Sequence, residues 1–321
     1  MKKDNKSNSK KETQYLLGIP GMKEKLTESS KTPIEECEDM DNINWKEISN
    51  NLVIYDNQDN SLYKAEEIRN KIILGDALDV LKKMESNTFD MIFIDPPYFL
   101  QIPKKKLRRW DVKTDVEGVF DEWDKFSSFE EYDEFIQSIL KETRRVMKEN
   151  ATIWIIGTYH NIFRIGKIMQ DLGFWILNDV IWIKNNPMPN WLGVRFTNAT
   201  ETLIWAVKDK KVKKYTFNKD LAKQFGIGKI GANVWQIPIC SGKERIKDQD
   251  GNKIHSTQKP IELLKRVILT TTKEGNLVLD PMAGTGTTGY VAQMLERDFT
   301  MIERRLEYIE AMVKRLGDMS M

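Results

Sequence analysis

The chain has 321 residues, 40% of them hydrophobic and 31% charged, with a formal net charge of +2. That length can bury a core in one large domain or two small ones, and the composition is that of a globular protein in water. No apolar run is long enough to cross a bilayer and the lysine-rich start lacks the apolar segment of a secretory signal, so a cytoplasmic protein is expected. Cys37 and Cys240 read as unpaired thiols, and His160 and His255 lie far apart without clustered ligand partners, so neither a disulfide framework nor a metal site is expected.

Residues 1 to about 45 are polar and charge-mixed, a solvated tail or an arm that touches a partner, with a short helix expected near Glu12 to Leu17. Residues 46–70 read as a linker or accessory segment. From Lys71 the pattern alternates short apolar strands with amphipathic helices, as in a mostly parallel sheet covered on both faces. Strands are expected at Lys71–Leu74, Met91–Ile94, Thr152–Ile156, Trp175–Lys184, Thr200–Val207, Leu277–Leu279 and Phe299–Ile302. Helices are expected to Met84, over Ser128–Lys148 with Ser127 or Ser128 as cap, around Ile162–Leu172, over Ile261–Thr271, to Leu295 and to about Arg315. Residues 209–256 read as irregular and basic.

Two stretches carry chemistry. Asp95-Pro96-Pro97-Tyr98 ends the second strand, placing a carboxylate, two rigid prolines and an aromatic ring where open α/β sheets bind ligands. Prolines withhold their own N–H donors, so the local carbonyls are acceptors. Acceptors beside an aromatic platform suit a flat base with an exocyclic amine. Asp280-Pro281-Met282-Ala283-Gly284-Thr285-Gly286-Thr287-Thr288 follows another apolar strand. Its glycines permit a sharp turn and close approach to a ligand, although a Gly-x-Gly alone is equally a tight turn. Asp280 could hold a ligand ammonium, and Glu303, ending the next strand, stands where a nucleotide site places an acid for two ribose hydroxyls. No lysine follows the second glycine as a phosphate loop requires, and a dinucleotide site is not expected. Asp76 either meets an adenine amine of a cofactor or caps the following helix. In His255-Ser256-Thr257-Gln258-Lys259-Pro260, Thr257 and Lys259 could reach a carboxylate near a helix start, or Ser256 and Thr257 simply cap it. Together the stretches suggest methylation of an amino group on a nucleobase.

With these residues in hand, the chain resembles the amino-methylating DNA methyltransferases of the permuted β group, in which the Asp-Pro-Pro-Tyr motif precedes the cofactor loop. Within that group it is most similar to the HinfI and CcrM type of adenine-N6 enzyme. Further support lies in Asp121-Glu122-Trp123-Asp124-Lys125-Phe126, Ile162–Gly173, Phe174–Asp179, Asn185–Asn190, Gly242–Arg245 and His255–Pro260. The resemblance covers about residues 70–316. It implies a Rossmann-like class I methyltransferase fold with a seven-stranded, mostly parallel sheet in permuted motif order. It also implies S-adenosyl-L-methionine as cofactor and duplex DNA as partner, with GANTC as the leading target. The methyltransferase domain is expected over 71–316, with target recognition in 185–256. Three departures stand out: Asp-Pro-Met-Ala replaces the usual Asp-Pro-Phe, the N-terminal extension has no counterpart in the family, and the chain ends where the HinfI and CcrM types continue into a further domain.

In the chemistry so implied, Asp95 and the Pro96 carbonyl each accept one amine hydrogen while Tyr98 stacks on a flipped base. Serine more often replaces Asp95 in cytosine-N4 enzymes, and asparagine in enzymes acting on RNA or protein glutamine. Cytosine-N4 methylation and a catalytically silent DNA-binding subunit remain the alternatives. Lys104, Lys105, Lys106, Arg108 and Arg109 follow the motif with Leu107 and Trp110 among them, a loop suited to phosphates or to insertion beside a flipped base. Residues 206–250 hold eleven Lys/Arg against five Asp/Glu, a local excess of six. Asn190, Arg195, Asn198, Lys243 and Arg245 are candidates for base or backbone contact. Enzymes of this group often dimerise, so a homodimer is expected. A companion restriction endonuclease and a free-standing role both stay open.

Overall fold

The computed structural model describes residues 52–56, 61–100, 107–108, 115–116, 124–190, 194–225 and 231–317. The expected tail helix near residues 12–17 and the basic residues Lys104, Lys105, Lys106 and Arg109 lie outside the described residues, as does the side chain of Arg108.

In chain order the strands are β1 (Leu52–Ile54), β2 (Lys71–Leu74), β3 (Phe89–Ile94), β4 (Leu107–Arg108), β5 (Asp115–Val116), β6 (Met147–Gly157), β7 (Trp175–Lys184), β8 (Thr200–Val207), β9 (Val234–Ile237), β10 (Leu277–Asp280) and β11 (Asp298–Glu303). The helices are α1 (Ala65–Ile68), α2 (Ala77–Lys82), α3 (Phe129–Val146), α4 (Ile162–Asp171), α5 (Lys219–Ala222), α6 (Ile261–Thr271), α7 (Thr287–Met294) and α8 (Leu306–Gly317). Nine strands form one sheet in the order β1-β2-β11-β10-β3-β6-β8-β7-β9, and β4 pairs with β5 separately. All seven strands expected from the apolar runs are in the sheet, and β1 and β9 extend its two edges. Only β8 runs against its neighbours, β6 and β7. β9 was hidden from pattern reading because four residues in a basic, irregular stretch give little periodicity. It is held to β7 by parallel pairing and by the Trp182 indole donating to the Ile237 carbonyl at 2.7 Å.

Strand alternation explains why both faces are covered. Ile72, Met91, Phe93, Val278 and Met301 point to one face, where α6, α7 and α8 bring Leu264, Ile268, Val291 and Met312. Ile73, Ile92, Ile94, Leu277 and Leu279 point to the other, met by Leu81 of α2, Ile139 of α3 and Ile165 of α4. Helix ends follow side-chain chemistry. The Asp76 carboxylate accepts from the Leu78 and Asp79 amides, and the Ser128 hydroxyl caps α3 by accepting from Glu131 N at 3.2 Å.

The sheet order places the site. β3 and β10 are parallel neighbours, with Val278 opposite Met91 and Leu279 opposite Ile92. From β10 the chain crosses through α7 to β11 on one side, while from β3 it crosses through α3 to β6 on the other. The crossovers diverge at the carboxyl ends of these two strands, leaving the crevice in which open α/β sheets bind ligands. Asp280 is the last residue of β10 and Asp95 directly follows β3.

Candidate active site

A cavity of about 360 Å³ fills that crevice, lined on one wall by Asp95, Pro96, Pro97 and Tyr98 and on the other by Asp280, Pro281, Ala283 and Gly284. Asp76, Thr257, Lys259, Thr287, Thr288 and Glu303 also line it. The two stretches, 185 residues apart in the chain from Asp95 to Asp280, therefore border one space.

The proline motif is held by a carboxylate absent from the sequence-derived site. Asp124, itself buried, accepts from three consecutive amides, those of Tyr98 at 2.6 Å, Phe99 at 2.7 Å and Leu100 at 2.7 Å. The Pro97 carbonyl accepts from the Tyr132 hydroxyl at 2.8 Å and from the Asn161 amide at 3.3 Å. Tyr98 is anchored too: its hydroxyl donates to Glu201 at 2.9 Å, and Glu201 pairs with Lys184 at 2.8 Å. Burial pushes the Tyr98 phenol well above its ordinary range, with Asp95 and Glu201 adding to the shift. Asp124 stood in the Asp121–Phe126 stretch that carries the resemblance but was given no role there; Glu201 and Lys184 gave no local signal.

Lys259 occupies a place the sequence did not suggest. Its ammonium lies 2.6 Å from Asp95 Oδ2, is buried, and stands 5.1 Å from the Tyr98 ring centre. The side chain expected to reach a cofactor carboxylate instead meets the acid of the proline motif. Burial opposes the Lys259 charge, but Asp95 and Glu201 outweigh it, so its pKa is raised. Burial likewise raises the Asp95 pKa and Lys259 partly offsets the rise. The second Asp95 oxygen, Oδ1, is buried with no partner among the described residues. An unpaired buried acceptor is costly, and Asp95 lines the cavity.

On the opposite wall, Asp280 is buried at the head of the glycine turn, accepting from the Thr288 hydroxyl at 2.5 Å and from Met282 N at 3.0 Å. Burial raises its pKa to about 7. Glu303 binds three amides, accepting from Gly284 N, Arg304 N and Arg305 N, each at 2.9 Å. The carboxylate is thereby oriented, and burial lifts its pKa. Gly284 has φ of +53°, and a Cβ there would lie 3.1 Å from the His255 ring. Met282 lines the cavity where the family more often has an aromatic ring. Thr287 turns back to the scaffold, donating to the Lys259 carbonyl at 3.3 Å.

Several expected assignments change. Gly286 does not line the cavity: its φ of +71° starts α7, and a Cβ would come within 2.6 Å of Met312, so conformation and packing demand glycine there. Arg245 spends its guanidinium on the carbonyls of Cys240, His255 and Ser256 at 2.8, 3.1 and 3.3 Å, making it a brace for the 240–256 segment. Asn190 folds the β7–β8 connection by donating to the Arg195 carbonyl at 2.7 Å. Arg195, Asn198 and Lys243 are exposed, the first donating to the Tyr159 hydroxyl at 2.9 Å. Asp76 caps α2 and also lines the cavity.

Comparison with known proteins agrees with this geometry. Residues 89–314 match the family model of N6/N4 methyltransferases described as DNA methylase. The chain is 51% identical over 249 residues to Type II methyltransferase M.HinfI of Haemophilus influenzae, covering 78% of this chain and 68% of that protein. It is 41% identical over 250 residues to Type II methyltransferase M2.DpnII of Streptococcus pneumoniae, covering 77% and 90%. Among solved structures, the M1.HpyAVI–SAM complex superposes with a TM-score of 0.55 at 26% identity, covering 77% of this chain and 98% of that one. The PvuII DNA methyltransferase, cytosine-N4-specific, shares the fold with a TM-score of 0.59 at 22% identity over 76% and 85% of the two chains. A crevice joining the half-buried carboxylate of an Asp-Pro-Pro-Tyr motif to a glycine turn, in a chain 51% identical to M.HinfI over 249 residues, places this protein in the N6/N4 DNA methylase family as a DNA methyltransferase of HinfI type.

Proposed function

We propose that this enzyme transfers a methyl group from S-adenosyl-L-methionine to the N6 amine of an adenine flipped out of duplex DNA, at a GANTC-like site. The observation that carries this reading is the unpartnered Asp95 Oδ1, buried in the same cavity as the glycine turn. A cavity of about 360 Å³ lies within the range of small-molecule sites. A buried carboxylate at Asp280 and a turn without a side chain at Gly284 suit a cofactor carrying an ammonium and needing close backbone approach. Asp280 would hold that ammonium, and Glu303 would hold ribose hydroxyls with the acceptor capacity its three amides leave. When bound, S-adenosyl-L-methionine supplies an electrophilic methyl whose bonding electrons leave on sulfur.

The chain's own residues then act on the amine. The adenine nitrogen is a weak nucleophile because its lone pair is delocalised into the ring. Asp95 Oδ1 accepts one amine hydrogen and the Pro96 carbonyl the other, drawing the nitrogen towards a tetrahedral shape. The Pro97 carbonyl cannot share this task because Tyr132 and Asn161 already use it. Lys259 fixes Asp95 Oδ2 and so aims Oδ1. After transfer the nitrogen sheds its extra proton towards Asp95. Positioning of this kind is worth on the order of several kcal/mol. Tyr98, its hydroxyl tied to Glu201, offers a fixed ring to the flipped base.

Exposed Arg195, Asn198 and Lys243, with the basic loop after Tyr98, supply the DNA face. No helix among the described residues is long and apolar enough to cross a membrane. A cytoplasmic, nucleoid-associated enzyme acting as a homodimer, with or without a companion restriction endonuclease, completes the proposal. Incubating the purified chain with labelled cofactor and duplex DNA, then reading the base and context by long-read sequencing, tests it directly. N6-methyladenine in a defined site is expected. N4-methylcytosine, or no mark at all, would overturn the reading.

A further inference from the structure

The segment between β7 and β8 carries exposed apolar side chains that the reaction described above does not use. Phe196 is 99% exposed, Val194 78% and Met188 61%. Three exposed apolar side chains within nine positions of one segment mark a binding surface more than scattered ones would.

The segment is not loosely attached. Asn190 bridges it to the Arg195 carbonyl, and the Arg195 guanidinium donates to the Tyr159 hydroxyl at 2.9 Å. Tyr159 lies in the turn after β6 that also holds Asn161, whose amide reaches the Pro97 carbonyl at 3.3 Å. At its root the segment springs from Lys184 and Glu201, the ion pair to which the Tyr98 hydroxyl donates. Both anchors thus lead, through one or two bonds, to the motif that would hold the flipped base.

Resting on the proposed function, we infer that Phe196 is the wedge that enters the DNA stack where the target adenine has left it, with Val194 beside it. Apolar side chains commonly fill or pry open a base step in this way, offsetting the cost of unstacking. Arg195 serves the adjacent phosphate or base edge while braced by Tyr159.

The test compares wild-type protein with Phe196→Ala and Phe196→Leu, on duplex with the target adenine paired and on the same duplex with that adenine facing an abasic site. An unpaired target costs less to extrude, so a wedge matters less for it. Phe196→Ala should lower kcat/KM about tenfold or more on paired duplex and should recover most of that loss on the abasic-site duplex. Phe196→Leu should fall between, and 2-aminopurine at the target should brighten with wild type but not with Phe196→Ala. Unchanged cofactor binding by the alanine variant would show that the fold is intact. An equal loss on both duplexes, or no loss on either, overturns the wedge while leaving the methyltransferase reading standing. Failure of the wild type on every duplex would instead overturn the proposed function itself.

Discussion

At the residue scale, two carboxylates set opposite requirements. In the proposed reaction Asp95 must be charged and aimed, and Lys259 at 2.6 Å serves both. Asp95→Asn should therefore cut kcat by about 10²- to 10⁴-fold, the usual range for a group contacting the reacting atoms, with cofactor affinity nearly unchanged by calorimetry. Lys259→Met should lower kcat about tenfold or more, because a desolvated Asp95 without its partner takes up a proton more readily. The diagnostic readout is the pH profile: the acidic limb of kcat should move to higher pH in the methionine variant, which simple loss of packing would not produce. Asp280 carries the other requirement. Burial raises its pKa to about 7, so the proposed pairing with a cofactor ammonium would expel a proton below that pH. Cofactor Kd should then rise roughly fivefold to tenfold from pH 7.5 to 6, by proton linkage, and Asp280→Asn should flatten that dependence.

At the element scale, the proline motif has no regular secondary structure to hold its shape. Asp124 replaces the missing ladder by accepting from the amides of Tyr98, Phe99 and Leu100. Charge-assisted bonds of this kind contribute about 1.5–3 kcal/mol each when made, and leaving the donors unmet costs as much. Asp124→Ala should lower the melting temperature by several degrees and reduce single-turnover methylation by more than tenfold. Equal activity at a temperature well below melting would show that the clamp is purely structural. Gly286 makes a comparable point for the cofactor turn, since α7 can start only from a left-handed residue seated against Met312.

At the scale of the whole molecule, ligand and fold are linked. Ionising a buried Asp280 costs folding free energy, so its contribution to the unliganded protein is present below the unfolded carboxyl pKa and lost as pH rises through about 7. A bound ammonium supplies the missing partner. Cofactor at a hundred times its Kd should stabilise the fold by about 2.7 kcal/mol, a shift of roughly 5–11 °C for a domain of this size. Measured by calorimetry at a fixed cofactor concentration, that shift should be larger at pH 8 than at pH 6. A larger shift at pH 6 would exclude Asp280 as the ammonium partner.

What the sequence determined by itself is local. Seven strands of the sheet, all but β1 and β9, and the helices α2, α3, α4, α6, α7 and α8 follow from apolar runs and period-3.6 patterns, and the chemistry of Asp95–Tyr98 and Asp280–Thr288 from residue types at strand ends. Tertiary structure decided what distant residues do to one another. Adjacency of β3 and β10 brings together acids 185 positions apart, sets Lys259 against Asp95, spends Arg245 on carbonyls and gives Asp124 its three amides. The edge strand β9 joins the sheet only because β7 offers a free ladder. Periodicity is short-range information carried by neighbours in the chain. Hydrogen-bond partners and buried charge pairs are chosen by proximity in space, which exists only once the sheet has ordered its strands.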